Sequence, residues 1–367
     1  MKPARAYSEQ RYDCLSCGKG CKMPWKIKVK PERIPGIQLT SRFQQVQKEG
    51  YTPLPVMNGM RQVGRREDAS CVFLVDDLCA IHSELGFKAK PQICQLFPFF
   101  NVNTPGGRYF SVSFACPAVL GNQGRPLEEH IPSVEESLKE DVRQPMPEDT
   151  RVPVTEAFTI GWEEYIELET QLASCWEESN PVKALLLAVV RLVEQSGGAF
   201  DFQAEIQNQE LLQEALSLYG LVTVHTISEF EALDSEEPGF RGLALLEEEN
   251  DFHSRLLDAP LPGFAFHRPE EPEHREALTR YFMSLLIGKQ LIHGGTLVTR
   301  LLQLASSIGI LLYYLEFQRE LEGMPKATFE QLLWAFDLVE VRLMSHSQKY
   351  LPIFSQFERS LLQVAGR

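Results

Sequence analysis

Three thiols crowd one short loop, Cys14-x2-Cys17-x3-Cys21, and four more, Cys71, Cys79, Cys94 and Cys116, follow before residue 120. Thiolates are soft ligands, and this spacing suits either tetrahedral zinc or an iron–sulfur cluster, both held by cysteines a few residues apart. Gly18 and Gly20 fit a loop folding round a metal, because glycine accepts positive φ and lets amide groups approach sulfur. Seven thiols exceed one tetrahedral site. His82, three residues past Cys79, supplies an eighth donor for a second ion, and a cluster bound by four of the cysteines is the other solution. The expected metal ligands are Cys14, Cys17, Cys21, Cys71, Cys79, Cys94 and Cys116, with a 4Fe-4S cluster favoured over zinc. Cys175 stands alone in Leu172-Ala173-Ser174-Cys175-Trp176 and reads as core.

Two hairpins are expected to position these thiols. Apolar and polar residues largely alternate over Phe99–Asn103 and Arg108–Phe114, either side of Thr104-Pro105-Gly106-Gly107. Cys94 and Cys116 are equidistant from residue 105, and Cys71 and Cys79 from Val75, so each hairpin base should present a pair of thiols. Ala80 to Phe87 reads as a short helix ending before the extended Lys90-Pro91 step. Residues 1–125 are thus read as a cysteine-rich metal-binding domain with short β-hairpins. Residues 126–153, acidic and holding five prolines from Pro126 to Pro153, read as a linker or irregular wrap. Residues 154–367 read as an all-helical domain, which makes the chain mainly α. There apolar residues recur at helical spacing through 156–176, 181–196, 204–219, 241–257, 273–288, 295–321, 325–344 and 347–364. Asn180-Pro181 and Thr328 with Gln331 mark two helix starts.

Composition narrows the partners. The 367 residues carry a formal charge of -14, yet the segment to Arg66 holds fourteen Lys and Arg against four acids. Few aromatic residues lie among these basic ones, so nucleic acid is not the expected partner; packing on acidic helices, or offsetting a thiolate centre, accounts for the charge. No secretory pattern opens the chain, which points to the cytoplasm, where thiols stay reduced. Leu301 to Leu315 is shorter than the roughly 20 residues that span a bilayer and reads as a buried helix, not a membrane span. No Gly-rich strand-to-helix loop supports a Rossmann methyltransferase. The two-then-three cysteine spacing reverses the order familiar from radical enzymes. Glu271 and His274 read as solvated surface, and Tyr313-Tyr314 as core or the wall of a pocket.

These motifs resemble a known family. Cys14-x2-Cys17-x3-Cys21, then Cys71-Val72-Phe73-Leu74, Leu78-Cys79-Ala80-Ile81-His82, Lys90-Pro91 and Cys94-x2-Phe97-Pro98-Phe99 are similar to the YkgJ-type cysteine-cluster proteins, a zinc- or iron-chelating family that includes flagellin lysine N-methylase. The resemblance covers roughly residues 10 to 120. It implies a metal-binding protein and, as an alternative, an S-adenosylmethionine-dependent methylase acting on a protein lysine. In that alternative an iron without a cysteine ligand would bind the cofactor and the lysine amine would attack the methyl group directly. A metal-stapled module that docks a partner protein without catalysis is the remaining reading. The first motif departs from the family in its three-residue gap and in Lys22 after Cys21.

Overall fold

The computed structural model of the chain describes residues 4–23, 25–139, 145–232, 252–344 and 347–366. The fold is mainly α, with short two-stranded hairpins concentrated towards the amino terminus. Two compact units form. One comprises Ala4–Asn101 and Phe110–Gln144, and the other Val102–Tyr109 and Pro145–Arg367.

The first unit carries the clustered cysteines on short elements. Its strands are β1 (Arg11–Tyr12), β2 (Val56–Met57), β3 (Met60–Arg61), β4 (Leu74–Val75) and β5 (Leu78–Cys79), followed by β6 (Phe99–Thr104), whose partner is β7 (Gly107–Val112), and by β8 (Arg125–Pro126). Its helices are α1 (Lys19–Lys22), α2 (Ile34–Gln38), α3 (Ser41–Lys48), α4 (Ala80–Leu85), α5 (Gln92–Leu96), α6 (Pro117–Leu120) and α7 (Leu127–Leu138). Such short pieces cannot bury a core alone. Ile27, Val29, Ile37, Val46, Val72 and Phe73 supply one jointly. Arginines from the basic segment knit the loops around it: Arg65 donates to the carbonyls of Cys21 and Trp25, and Arg66 to those of Cys71 and Leu74.

Residues 127–138 form a helix where composition predicts a linker or irregular wrap. Leu127, Ile131, Val134 and Leu138 fall on one buried face. Pro132 removes a hydrogen bond to the carbonyl of Glu128, which is exposed and open to water.

The second unit begins with a hairpin, β9 (Val152–Thr155) paired with β10 (Phe158–Ile160), so residues 156–160 form its turn and second strand where helical spacing predicts a helix start. Helices α8 (Trp162–Ser174), α9 (Pro181–Glu194) and α10 (Gln209–Glu231) follow. A small ribbon, β11 (His253–Ser254) with β12 (Ala259–Pro260), precedes α11 (Pro272–Ile287), α12 (Leu297–Leu321), α13 (Phe329–Val339) and α14 (Ser347–Val364). Of the helix expected over 241–257, residues up to 251 lie outside the described residues, and His253–Ser254 is strand. Both marked starts form: the Asn180 side chain accepts from the Lys183 amide, and Thr328 and Gln331 make a reciprocal capping box. Helix α10 runs twelve residues beyond the predicted end at 219, because packing of Val222, Val224, Ile227 and Phe230 overrides the weak helix propensity of the β-branched run.

Helix α12 is long and apolar enough to cross a membrane by length and composition, and its apolar window is wholly buried within the fold. It packs against α9, α10, α13 and α14, and a helix apolar all round is a central one. Several charged groups buried in this unit are paired. Glu231 accepts from Tyr314 Oη at 2.7 Å, Ser254 Oγ at 2.9 Å and the Arg255 amide at 2.8 Å. Lys289 is buried in an ion pair with Glu169, its Nζ 4.3 Å from the Tyr109 ring centroid. His274, expected at the surface, is buried, and burial lowers its pKa. Tyr313 and Tyr314 are core, as their apolar surroundings predict.

Candidate metal centre

Seven cysteines line one cavity of about 460 Å³ that belongs wholly to the first unit: Cys14, Cys17, Cys21, Cys71, Cys79, Cys94 and Cys116. All eight cysteines of the chain are free thiols. Cys14 and Cys17 are exposed on the loop after β1, Cys21 lies in α1, and Cys71 is buried ahead of β4. Cys79 ends β5, Cys94 lies in α5, and Cys116 is buried at the entry to α6. His82 is exposed on α4, lines the cavity and meets Phe87 edge-on at 5.8 Å. Cys175 is half-buried at the end of α8, so it is less enclosed than a core reading implies.

The loop is built as its glycines require in part. Gly18 has φ +65°, and a Cβ there would stand 2.9 Å from Asp77 Oδ1, so only glycine fits where the loop meets the β4–β5 turn. Gly20 sits inside α1 instead. In that turn Asp76 and Asp77 both have positive φ, as a two-residue hairpin turn demands, and Leu74 pairs with Cys79. The hairpin is therefore centred between the two aspartates and not on Val75, so the ladder does not pair Cys71 with Cys79. Cys71 reaches the cavity through a turn, its carbonyl accepting from the Leu74 amide, and its own amide donates to Cys21 O at 2.8 Å.

The longer hairpin also fails to pair its flanking thiols. Its strands end at Phe99 and Val112, and α5 then carries Cys94 onto the core shared with Cys21, Cys71 and Cys79. Packing thus divides the sulfurs. Cys21, Cys71, Cys79 and Cys94 belong to or pack against one apolar cluster, and Cys14, Cys17 and Cys116 do not.

Electrostatics follows the same division. Burial pushes the Cys71 thiol up to about 12, and the sulfurs of Cys21 and Cys79 add to it. Burial raises Cys94 further, with Lys90 opposing and Cys71, Cys21 and Cys79 reinforcing. Cys21 is raised by burial and then by Cys79, against Lys90 and Arg65. Cys116 is pushed up to about 11 by burial, and the sulfurs bearing on it are Cys17 and Cys14. Protonated thiols are the resting state of a buried, metal-free set, and a cation is what makes several thiolates affordable there. Arg65, from the basic segment, and Lys90 lie close enough to these sulfurs to oppose the rise.

Among the described residues, no three His, Cys, Asp or Glu side chains stand close enough to hold an ion as they are. The donor chemistry nonetheless fits zinc or iron: soft sulfur donors on one wall, flanked by cations. Sequence reasoning missed the residues that place Cys14. Tyr12 pairs with Arg125 across β1 and β8, and its hydroxyl bonds Cys14, while His130 Nε2 lies 2.6 Å from the Tyr12 carbonyl oxygen. Asp13 is paired with Arg125 at 2.9 Å. The signal in the sequence was Gly121-Asn122-Gln123-Gly124, a turn whose Asn122 side chain accepts from the Arg11 amide.

Comparisons with known proteins address this unit. Residues 13–113 match the CxxCxxCC family, described as a "Putative zinc- or iron-chelating domain". An uncharacterized protein of Methanocaldococcus jannaschii is 22% identical over 163 residues, 42% of this chain and 55% of that protein. The chain thus spans about half the length of this curated relative. No solved structure matches it.

Proposed function

We propose that the first unit, whose residues 13–113 match a zinc- or iron-chelating family, holds an iron–sulfur cluster on Cys21, Cys71, Cys79 and Cys94. The observation that carries this is four thiols sharing one core patch beside a cavity of about 460 Å³. One ion needs no such space, since even a water molecule occupies only about 30 Å³ of liquid. Four thiolates are the usual ligand set of a four-iron cluster, which supplies electron transfer when bound. The protein's part is to hold the sulfurs in a dry wall, with Arg65 and Lys90 offsetting their charge. All-thiol ligation suits a reducing compartment, the cytoplasm.

Anaerobic purification with an absorption spectrum and iron, zinc and sulfide analysis tests the proposal. Brown protein with iron and acid-labile sulfide in equal amounts is expected. Colourless protein with stoichiometric zinc and no sulfide refutes the cluster while leaving chelation intact. A methylase using S-adenosylmethionine on a protein lysine would instead need one iron left without a cysteine ligand to bind the cofactor. Calorimetric titration of S-adenosylmethionine into loaded protein separates that use from a partner-docking module, since the module gives no heat.

A further inference from the structure

The basic segment also builds a surface that the cysteine-lined cavity does not use. We propose that the β2–β3 hairpin docks the protein on an anionic lipid surface, with Val56, Met57 and Met60 entering the headgroup layer and Lys26, Lys28 and Arg61 facing the lipid phosphates. This surface involves none of the cysteines and stands independently of the metal reading.

Local sequence makes the tip. Asn58 and Gly59 have φ +51° and +73°, so they close the two-residue turn flanked by Met57 and Met60, which are directly opposed. Every residue from Val56 to Arg61 is exposed. Val56, Met57 and Met60 are 61%, 48% and 42% exposed, three apolar side chains within five residues. Single exposed apolar residues are ordinary, whereas a contiguous group rimmed by charge marks an interaction site.

Tertiary pairing adds the charge. Lys28 bridges Gln62, and the Val29 amide donates to Arg61 O and the Val63 amide to Ile27 O, both at 2.9 Å, which lays residues 27–29 beside β3. That register buries Ile27, Val29 and Val63 and leaves the alternate Lys26 and Lys28 exposed. Lys28 stands opposite Gln62, two residues from Met60, and so lies on the same face as the Met57–Met60 pair. Arg61 adds a third cation at the tip, its guanidinium donating to Leu54 O at 3.0 Å. No Asp or Glu occurs from Lys22 to Pro31 or from Gly50 to Arg66. Glu49, just before the second stretch, is paired with Arg42 at 2.7 Å.

An apolar tip collared by cations matches the two demands of an anionic bilayer surface. Lysine and arginine are drawn to lipid phosphate, and apolar side chains leave water in the headgroup layer. Methionine is flexible and fits a partner without fixed shape. A nucleic acid would use the cations alone, and the hairpin tip offers no aromatic ring on which a base could stack.

The test uses the full chain, purified anaerobically, as wild type, M57S/M60S and K26Q/K28Q. Each is sedimented with vesicles of phosphatidylcholine alone and of phosphatidylcholine mixed with phosphatidylglycerol. Wild type should bind the mixed vesicles, ignore the neutral ones and be released by salt. Each variant should lose on the order of tenfold in partitioning with circular dichroism unchanged. All four positions are exposed, and should one variant alter circular dichroism the other decides. Absence of wild-type sedimentation, equal binding to neutral vesicles, or wild-type binding by M57S/M60S overturns the proposal. So does retention of duplex DNA without vesicle binding, which would assign the cations to nucleic acid.

Discussion

Replacing Gly124 with alanine tests how the fold places Cys14. Gly124 has φ +103°, and a Cβ built on it stands 2.5 Å from the Asp13 amide nitrogen, 2.6 Å from Asp13 Cβ and 2.7 Å from Asp13 Oδ2. The carboxylate oxygen could swing away, but the amide nitrogen and Cβ are fixed by the Asp13 backbone. The backbone strain costs about 1–3 kcal/mol and relieving the clash costs about 1–3 more, against a gain below about 1 kcal/mol from the stiffer unfolded chain. The net loss expected from urea unfolding is about 3 kcal/mol. Relief comes by moving Asp13, which breaks its pairing with Arg125 and displaces the neighbouring Cys14. Disturbing the groups that orient a metal ligand lowers affinity by about 10- to 100-fold, so any metal uptake that depends on Cys14 should weaken by that factor in a Co2+ titration, while uptake by Cys21, Cys71, Cys79 and Cys94 is retained. Wild-type cobalt affinity together with a stability loss below about 0.5 kcal/mol would refute the reasoning, because the close approach of Gly124 to Asp13 would then constrain nothing.

Two further outcomes follow from buried charge. In the metal-free chain Cys71 and Cys116 are held up to about 12 and about 11, above their ordinary value of 9.0, so the unfolded state loses these protons first. Their contribution is full below pH 9 and is lost as pH rises through 9 to 12, about 1.4 kcal/mol for each thiol by pH 10; urea midpoints should fall with pH in metal-free protein and not in loaded protein, and equal slopes would contradict this. In the helical unit, Lys289→Met leaves Glu169 buried without its cation and should cost about 3–5 kcal/mol, largely restored by adding Glu169→Gln. A single variant within about 1 kcal/mol of wild type by urea unfolding would show the pair to be dispensable.

Much of this protein was legible locally. Thiol chemistry follows from residue type, and the hairpin at Thr104-Pro105-Gly106-Gly107, the caps at Asn180 and Thr328 and the apolar stripes of the helical half depend on neighbours within a few residues. The match of residues 13–113 to a chelating family agrees with the chemistry read from those cysteines. Local symmetry misled where the chain leaves its hairpins. Equal spacing about residue 105 predicts Cys94 beside Cys116, yet the ladder stops at Phe99 and Val112, and the apolar faces of α5 and α6 then choose different surroundings.

Which sulfurs share surroundings was decided by the tertiary structure. Cys21 meets Cys71 through a hydrogen bond across fifty residues, and the strand leading to Cys14 is held against Arg125–Pro126 by a two-residue strand pair and a glycine that admits the Asp13 backbone. Such contacts carry no periodic signature. They arise because short elements bury apolar surface only by assembling together, and that assembly buries Cys71 and packs Cys21, Cys79 and Cys94 against the same core while leaving Cys14 and Cys17 exposed. The sequence by itself determined that this unit would offer sulfur to a metal; packing determined that Cys21, Cys71, Cys79 and Cys94 gather on one apolar core while Cys14 and Cys17 stay exposed and Cys116 is buried elsewhere.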